Sequence, residues 1–234
     1  YVLDLWAEQW RRRNATGDMI IVRYADDVVV GFQHEADARR FQGDMGKRLE
    51  AFALSLHPEK TRLVEFGRFA ADNRARRGVG KPETFNFLGF THICGRSRRG
   101  KFQLKRHSRR DRLRAKNRQI KDELRRRMHQ PLAETGRWLA QVVNGYFGYH
   151  AVPTNGAALS ALRYRVTDLW RRTLRRRSQK DGLTWERMTR LADRWLPKLL
   201  IRHPWPNARF AATHPRWEPY ARIGHVRFCA GGVR

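Results

Sequence analysis

Residues 19–32 read MIIVRYADDVVVGF, and this stretch decides how the first part of the chain folds. Two apolar, β-branched runs flank Ala25-Asp26-Asp27, which is the pattern of two strands joined by a tight turn. Because the runs are nearly continuous in apolar residues, we predict a β-hairpin with both faces covered by other elements. The carboxylates of Asp26 and Asp27 then lie side by side at the tip of that hairpin.

The two adjacent aspartates allow two interpretations. Aspartate is common in turns because its side chain bonds the local backbone, so a solvated corner is one of them. The flanking runs are too apolar for a surface corner, however, and the glycine that hairpin turns prefer is missing. Adjacent carboxylates beside buried strands repel each other unless cations neutralise them, and Mg²⁺ ions of a two-metal phosphoryl-transfer site would do so. The residues alone leave both interpretations open.

The segments around the hairpin predict an α+β fold. A helix ends near Asn14, an amphipathic helix covers residues 35–53, and short strands follow at residues 62–66 and 84–91. From residue 105 the chain becomes helical and basic, with amphipathic stretches at residues 105–128, 134–149 and 155–177 that form a small bundle. A further short helix starts after Thr184, a suitable N-cap, and four prolines beyond it predict an irregular C-terminal tail.

Charge is distributed very unevenly along the chain. The 234 residues carry a net charge of +28, from 50 Lys and Arg against 22 Asp and Glu. Residues 1–60 hold 9 basic and 10 acidic side chains, whereas residues 61–234 hold 41 and 12. So basic a segment repels itself without a polyanion, and counterion release makes nucleic acid the natural partner. An anionic membrane surface and plain solubility are the alternatives.

Two absences narrow the class of protein further. No run reaches the roughly 18 apolar residues of a membrane-spanning helix, so we expect no membrane partner. Cys94 and Cys229 are the two cysteines and are far apart, which argues against a zinc site or a disulfide framework and fits a reducing compartment.

Two arginine-rich clusters are the candidate RNA-binding surface. One comprises Arg109, Arg110 and Lys116 with their neighbours Arg112 and Arg114, and the other Arg171, Arg172, Arg175, Arg176 and Arg177. Such runs are often only solvated helix faces, but the scarcity of acids between them favours phosphate contacts. Aromatic residues interleave with the charge, among them Tyr164 and Trp185. Because they fall on the apolar stripes of helices, we predict that most of them belong to the core.

Four ordered blocks of this sequence resemble a known family. Residues 20–32, with YADD at 24–27, look like the YxDD box of reverse transcriptases, and residues 23–33 and 35–38 resemble bacterial group II intron reverse transcriptases in particular. Residues 57–61 (HPEKT) fall where that family has a Lys-Thr motif, and residues 87–90 (FLGF) resemble its primer grip. Residues 170–179 and 184–187 resemble the maturase thumb called domain X, which is associated with intron RNA binding.

The resemblance implies a role for each matched residue of the first two blocks. Asp26 would bind the catalytic Mg²⁺ ions, and Asp27 would support metal binding or orient its neighbour. Tyr24 would pack near the primer terminus, with Ala25 setting the small space beside the incoming nucleotide. Lys60 would lie near the triphosphate, where a cation stabilises the leaving pyrophosphate. An exposed lysine at the start of a strand is the alternative for Lys60.

The third block implies contacts to the primer. Phe87, Leu88 and Gly89 would hold the primer strand, although ordinary strand core is the alternative, for Phe87 above all. The implied partners are intron RNA, an RNA/DNA primer-template and deoxynucleoside triphosphates in a bacterial cytoplasm, with no small-molecule cofactor besides Mg²⁺.

The sequence also departs from the family pattern. The third carboxylate of a two-metal polymerase should come from a strand upstream of Tyr1, and Asp4, Glu8 and Asp18 do not lie in such a strand. We therefore expect a C-terminal portion: the end of a palm at residues 1–91, a helical thumb at 92–180 and a basic extension at 181–234. The expected function is RNA-directed DNA polymerase with maturase activity, inactive in this chain alone. The alternative is a truncated maturase that only binds intron RNA.

Overall fold

The computed structural model describes residues 3–177, 182–205 and 226–232, the last range by its backbone alone. The described residues divide into two compact units, one of residues 3–105 with 226–232 and one of residues 106–177 with 182–205. Both helices and antiparallel sheets are present, which confirms the predicted α+β class. The division into segments 1–91, 92–180 and 181–234 stays a prediction.

The first unit contains three helices and most of the strands. Its elements are α1 (Asp4–Asn14), β1 (Met19–Tyr24), β2 (Asp27–Phe32), α2 (Glu35–Glu50), β3 (Arg62–Phe66), α3 (Ala70–Arg76), β4 (Phe85–Phe87), β5 (Phe90–Arg96), β6 (Phe102–Ser108) and β7 (Val226–Gly232). Strands β1-β2-β7-β3 form one antiparallel sheet in that order, and β4-β5-β6 form a second, smaller sheet.

Strand β2 is the centre of this unit because both of its faces are buried. On one face Val28, Val30 and Phe32 join a cluster with side chains of α1 and α2, in which Phe32 and Phe41 rings lie 5.3 Å apart. On the other face Val29 joins Val64, Phe66 and Phe85. The amphipathic stripe of α2 supplies the helical half of the first cluster, as its 3.6-residue periodicity predicts.

Strand β1 is less covered than the sequence predicted. Ile20, Val22 and Tyr24 alternate along the strand and are all exposed, whereas Met19 is buried on the opposite face. The strand lies at the edge of the four-stranded sheet, so only one of its faces packs on α2. The expectation that both faces are covered is therefore confirmed for β2 and wrong for β1.

The loop that leads into β1 is held by a buried carboxylate on α2. Asp37 is 1% exposed and accepts hydrogen bonds from the backbone N–H groups of Thr16 and Gly17, at 2.8 and 3.2 Å, and from the Thr16 hydroxyl. Arg40 donates to the same carboxylate. Burial raises the pKa of Asp37, but these donors together outweigh it and hold the pKa below its usual range.

The second unit is a bundle of four helices. They are α4 (Arg110–Arg126), α5 (Leu132–His150), α6 (Gly156–Arg177) and α7 (Trp185–Trp195). Their apolar stripes meet in one core whose fully buried side chains include Leu124, Phe147, Trp170 and Met188. Thr184 caps α7 by accepting a hydrogen bond from the Arg187 N–H, which confirms the predicted start of that helix.

Three segments differ from the sequence-based expectation. Residues 102–108 form β6 instead of the start of a helix; the end of β6 is fixed by a hydrogen bond from the Ser108 N–H to Asn155, 47 residues away. Residues 70–76, predicted as a polar connection, form the short helix α3. Strand β7 lies within the segment predicted to be irregular. Both β6 and β7 depend on partners distant in the chain, which local patterns cannot reveal.

No helix in the described part of the chain is long and apolar enough to cross a membrane.

Replacing Asp37 by Ala should destabilise the first unit by about 2–3 kcal/mol, because several donors lose their acceptor in a buried site. Urea unfolding of the full chain, with hydrogen exchange at β1 and β2 amides, measures this. The depressed pKa adds a pH test: the stability that ionised Asp37 contributes is complete above its unfolded pKa and is lost as pH falls below about 4. The Ala variant should lack that part of the acid dependence.

The matched control is Glu35→Ala on the same helix, since Glu35 is in an exposed ion pair with Arg39. Its loss should change stability by less than about 0.5 kcal/mol. Equal effects of the two substitutions would show that Asp37 does not hold the loop.

Candidate functional site

The two aspartates lie at the tip of a two-residue hairpin loop. Tyr24 pairs with Asp27, so Ala25 and Asp26 form the loop and Asp27 begins β2. Ala25 has φ +51°, a left-handed conformation that hairpin turns of this length require at their first loop position and that usually selects glycine. The turn predicted from the sequence is therefore present, and an alanine occupies its unfavourable position.

The tip of the hairpin is accessible. Tyr24 is 65% exposed, and Asp26 and Asp27 are also exposed. Tyr24 continues a strip of exposed apolar side chains formed with Ile20 and Val22 on β1. The aspartates thus stand at one end of a rigid, buried strand and beside an apolar surface.

The carboxylates of Asp26 and Asp27 are the hard oxygen ligands that Mg²⁺ takes in proteins, but they are two where a two-metal site needs more. Within the described ranges no group of three or more His, Cys, Asp or Glu side chains could hold a metal ion. The strand beside β2 is β7, whose sequence VRFCAGG contains no carboxylate. The described residues therefore provide part of such a metal site and do not complete it.

Lys60 lies at the same end of the sheet as the aspartates. Arg62 of β3 and Val29 of β2 both pair with Ala230 of β7, so the two strands begin level with each other, about 10 Å apart. Lys60 precedes Arg62 by two residues, as Asp27 precedes Val29, and it is exposed. Its assignment to a triphosphate stays a prediction.

The predicted primer-grip residues belong to the second sheet. Phe87 pairs with Phe90, and Leu88 and Gly89 form the turn between them with φ +48° and +76°. Phe87 packs against the cluster around Val29, which supports a core role for this side chain. Leu88 and Gly89 are half-buried. They are not in the sheet that carries the aspartates, and their contact with a primer stays a prediction.

The arginines of α4 form a stripe that the sequence analysis grouped differently. Five exposed cations recur at helical spacing along one side of the helix over about 22 Å. We call them the α4 stripe: Arg110, Arg114, Arg118, Lys121 and Arg125. The acids Asp111 and Glu123 form their ion pairs with Arg109, Arg126 and Arg127 instead. The signal that could have revealed the stripe is the i, i+4 spacing.

Several cations predicted to bind RNA are engaged within the protein. Arg109 is paired with Asp111, and the half-buried Lys116 donates to Gln119 at 3.1 Å. Arg172 is paired with the buried Asp168. The remaining members of the second cluster are described by their exposure: Arg171 is half-buried, and Arg175, Arg176 and Arg177 are exposed, with Arg177 donating to the Gln130 carbonyl at 2.9 Å.

Comparison with known families adds to this geometry. Residues 1–92 match the family model of the reverse transcriptase (RNA-dependent DNA polymerase). The matched residues include the hairpin, Lys60 and Phe87–Gly89, and the match ends before the helical unit. No curated protein matches the chain. The match supports a reverse transcriptase domain at residues 1–92, and such a domain implies a nucleic-acid template and primer with deoxynucleoside triphosphates as substrates.

Replacing Ala25 by Gly should stabilise the hairpin by about 0.5–1 kcal/mol. Glycine removes the left-handed strain of an L-residue, about 1–2 kcal/mol, and adds a smaller entropic cost in the unfolded chain. Hydrogen exchange at the amides of β1 and β2 measures the gain. Ala51→Gly is the control, because Ala51 has an ordinary φ of −62° and glycine there should be neutral or destabilising. A loss of protection in both variants would contradict the left-handed turn.

Proposed function

We propose that this chain is part of an RNA-directed DNA polymerase of the group II intron type, in which the first unit contributes to the polymerase site and the helical unit binds RNA. Asp26 and Asp27 are the proposed metal ligands, and Mg²⁺ held by them would neutralise charge on the reacting phosphates. The group II assignment rests on the resemblance of residues 23–38, 170–179 and 184–187 to that family.

One observation carries the polymerase proposal: two adjacent, exposed carboxylates stand at the end of a strand that is buried on both faces, inside the segment that matches reverse transcriptases. A solvated corner does not need such rigid support. Catalytic metal ligands do, because displacements of about 1 Å reduce rates strongly. Lys60 at the same end of the sheet supplies the cation that a triphosphate requires.

The α4 stripe supports the RNA-binding part of the proposal. Its five cations are exposed and lie on one side of a straight helix, whose partly and fully buried side chains Leu113, Ile120 and Leu124 pack into the core. Cations held on a rigid surface neutralise phosphates with little loss of conformational entropy on binding. Folded RNA is recognised largely through its shape and its phosphates, which a basic helix edge can contact without reading bases.

A second candidate function is RNA binding without polymerisation. It is favoured by the incomplete carboxylate set, since the described residues offer only Asp26 and Asp27 at the hairpin. The two candidates make the same prediction for RNA affinity and different predictions for primer extension.

We expect the 234-residue chain alone not to extend a primer on an RNA template with Mg²⁺ and the four deoxynucleotides. A polypeptide that joins residues 1–234 to an upstream segment with an aspartate-bearing strand should extend it, because the carboxylate set is then complete. Denaturing gels of labelled primer measure both. Synthesis by the chain alone would refute the incomplete site, and failure of every longer polypeptide would favour the binding-only candidate.

The affinity of the chain for structured RNA should fall steeply with salt, and the α4 stripe should carry much of that dependence. Each neutralised phosphate adds roughly 0.7 to 0.9 to the slope of log affinity against log salt. The triple variant Arg114→Ala, Arg118→Ala, Lys121→Ala should flatten the slope by about 2 to 3. Fluorescence anisotropy with a labelled RNA hairpin at several salt concentrations gives the slope.

A control variant removes the same charge elsewhere. Arg11, Arg12 and Arg39 lie on the first unit and are paired with Glu8 and Glu35, so replacing all three by Ala should change the slope by less than about 1. Equal flattening by both triple variants would mean that net charge, and not the α4 stripe, controls RNA affinity.

A further inference from the structure

Two aromatic rings lie on the surface of the helical unit, where the sequence predicted core. Tyr164 of α6 is 63% exposed and Trp185, the first residue of α7, is 38% exposed. Their rings are parallel, with centroids 5.7 Å apart and an interplanar angle of 9°. Large exposed aromatics on a strongly basic unit are not explained by packing, because the core of this unit is closed by other side chains.

The position of Trp185 is fixed from its other side by Arg171. The guanidinium of Arg171 lies 4.8 Å from the centre of the Trp185 ring, and its Nε donates to the Leu183 carbonyl at 3.2 Å. Tyr164 and Arg171 are seven residues apart on one side of α6, or about 10.5 Å along its axis. That rise matches the two ring distances taken together, so Trp185 lies between Tyr164 and Arg171.

This order leaves one face of the Tyr164 ring open. Helical side chains lean toward the N-terminus of their helix, and the preceding turns on this side carry Ala157, Ser160 and Ala161, which are exposed and small. A flat group can therefore approach the outer face of Tyr164 without displacing a large side chain. The platform is rigid because Thr184 caps α7 directly before Trp185 and Arg163 ties α6 to Asp193 of α7.

The charge around the platform identifies the group that fits it. Arg172 and Arg175 are exposed and lie further along the same side of α6. Cations beside an open aromatic face are the combination that binds single-stranded nucleic acid, with bases stacked on the ring and phosphates on the arginines. A paired base cannot reach the ring, because both of its faces are stacked within the duplex.

We propose that Tyr164, supported by Trp185 and Arg171, is a stacking site for an unpaired nucleobase of the bound RNA. The proposal rests on the proposed RNA-binding function and adds a preference for unpaired segments that the phosphate contacts of the α4 stripe do not give. Stacking on an aromatic side chain contributes about 1–3 kcal/mol per base by alanine substitution. For one base this corresponds to roughly a five- to hundredfold change in affinity.

The test uses the full chain and two fluorescein-labelled probes, an unstructured RNA oligonucleotide and a blunt RNA duplex of the same length. Tyr164→Ala should bind the single strand about tenfold or more weakly and the duplex unchanged. Its salt slope should not change, since no charge is lost. Tyr164→Phe keeps the ring and should keep the affinity, whereas Tyr164→Leu keeps apolar bulk without a π face and should behave like Ala.

Each other outcome has a distinct meaning. Unchanged single-strand affinity in Tyr164→Ala and Tyr164→Leu would overturn the stacking site, and would leave the surface for a partner other than RNA. Equal losses for single strand and duplex would also overturn it, because they would indicate a structural role for Tyr164. Absence of binding to both probes by the unaltered chain would overturn the proposed RNA-binding function, and the stacking site with it.

Discussion

Strand β2 is held between two hydrophobic clusters, and the placement of the aspartates depends on this packing. Val28, Val30 and Phe32 face α1 and α2, while Val29 faces β3 and β4. A strand covered on both faces cannot shift its register by one residue without exchanging its two sets of buried side chains. Because Asp27 is the first residue of that strand and Asp26 precedes it, both carboxylates are fixed at the edge of the core. The Asp37 clamp does the same for the loop that leads into β1.

The helical unit solves a different physical problem, which is to hold many like charges in one compact structure. Its core is closed by apolar stripes of four helices, and its arginines are either exposed or paired with an acid. Side chains such as Arg163 and Arg171 hold the helices together, through Asp193 and the Leu183 carbonyl, and are not free to bind phosphate. The charge that remains on the surface, chiefly the α4 stripe, is destabilising in isolation and becomes favourable when a polyanion binds.

The sequence predicted well those features that depend on neighbours in the chain. The hairpin, α2, β3 and the cap of α7 follow from alternation, periodicity and a threonine at the correct position. It failed where distant partners decide the outcome: β6 ends where Ser108 meets Asn155, and β7 lies between β2 and β3. The same limit affected the candidate site. An apolar stripe suggested that Tyr164 and Trp185 were core, because helical spacing does not tell which aromatic the neighbouring helix leaves uncovered.

The central claim is that the hairpin carboxylates serve polymerisation while the helical unit serves RNA binding. The most direct measurement introduces the substitution Asp26→Asn into a primer-extending polypeptide that contains residues 1–234, and determines extension rate and RNA affinity in the same preparation, with the unaltered polypeptide alongside. The account predicts that extension is lost while RNA affinity and its salt dependence stay within a factor of about two, because the substitution removes a metal ligand and is far too small to alter a surface of this charge. Extension at the unaltered rate, or a loss of RNA affinity as large as the loss of extension, would contradict it.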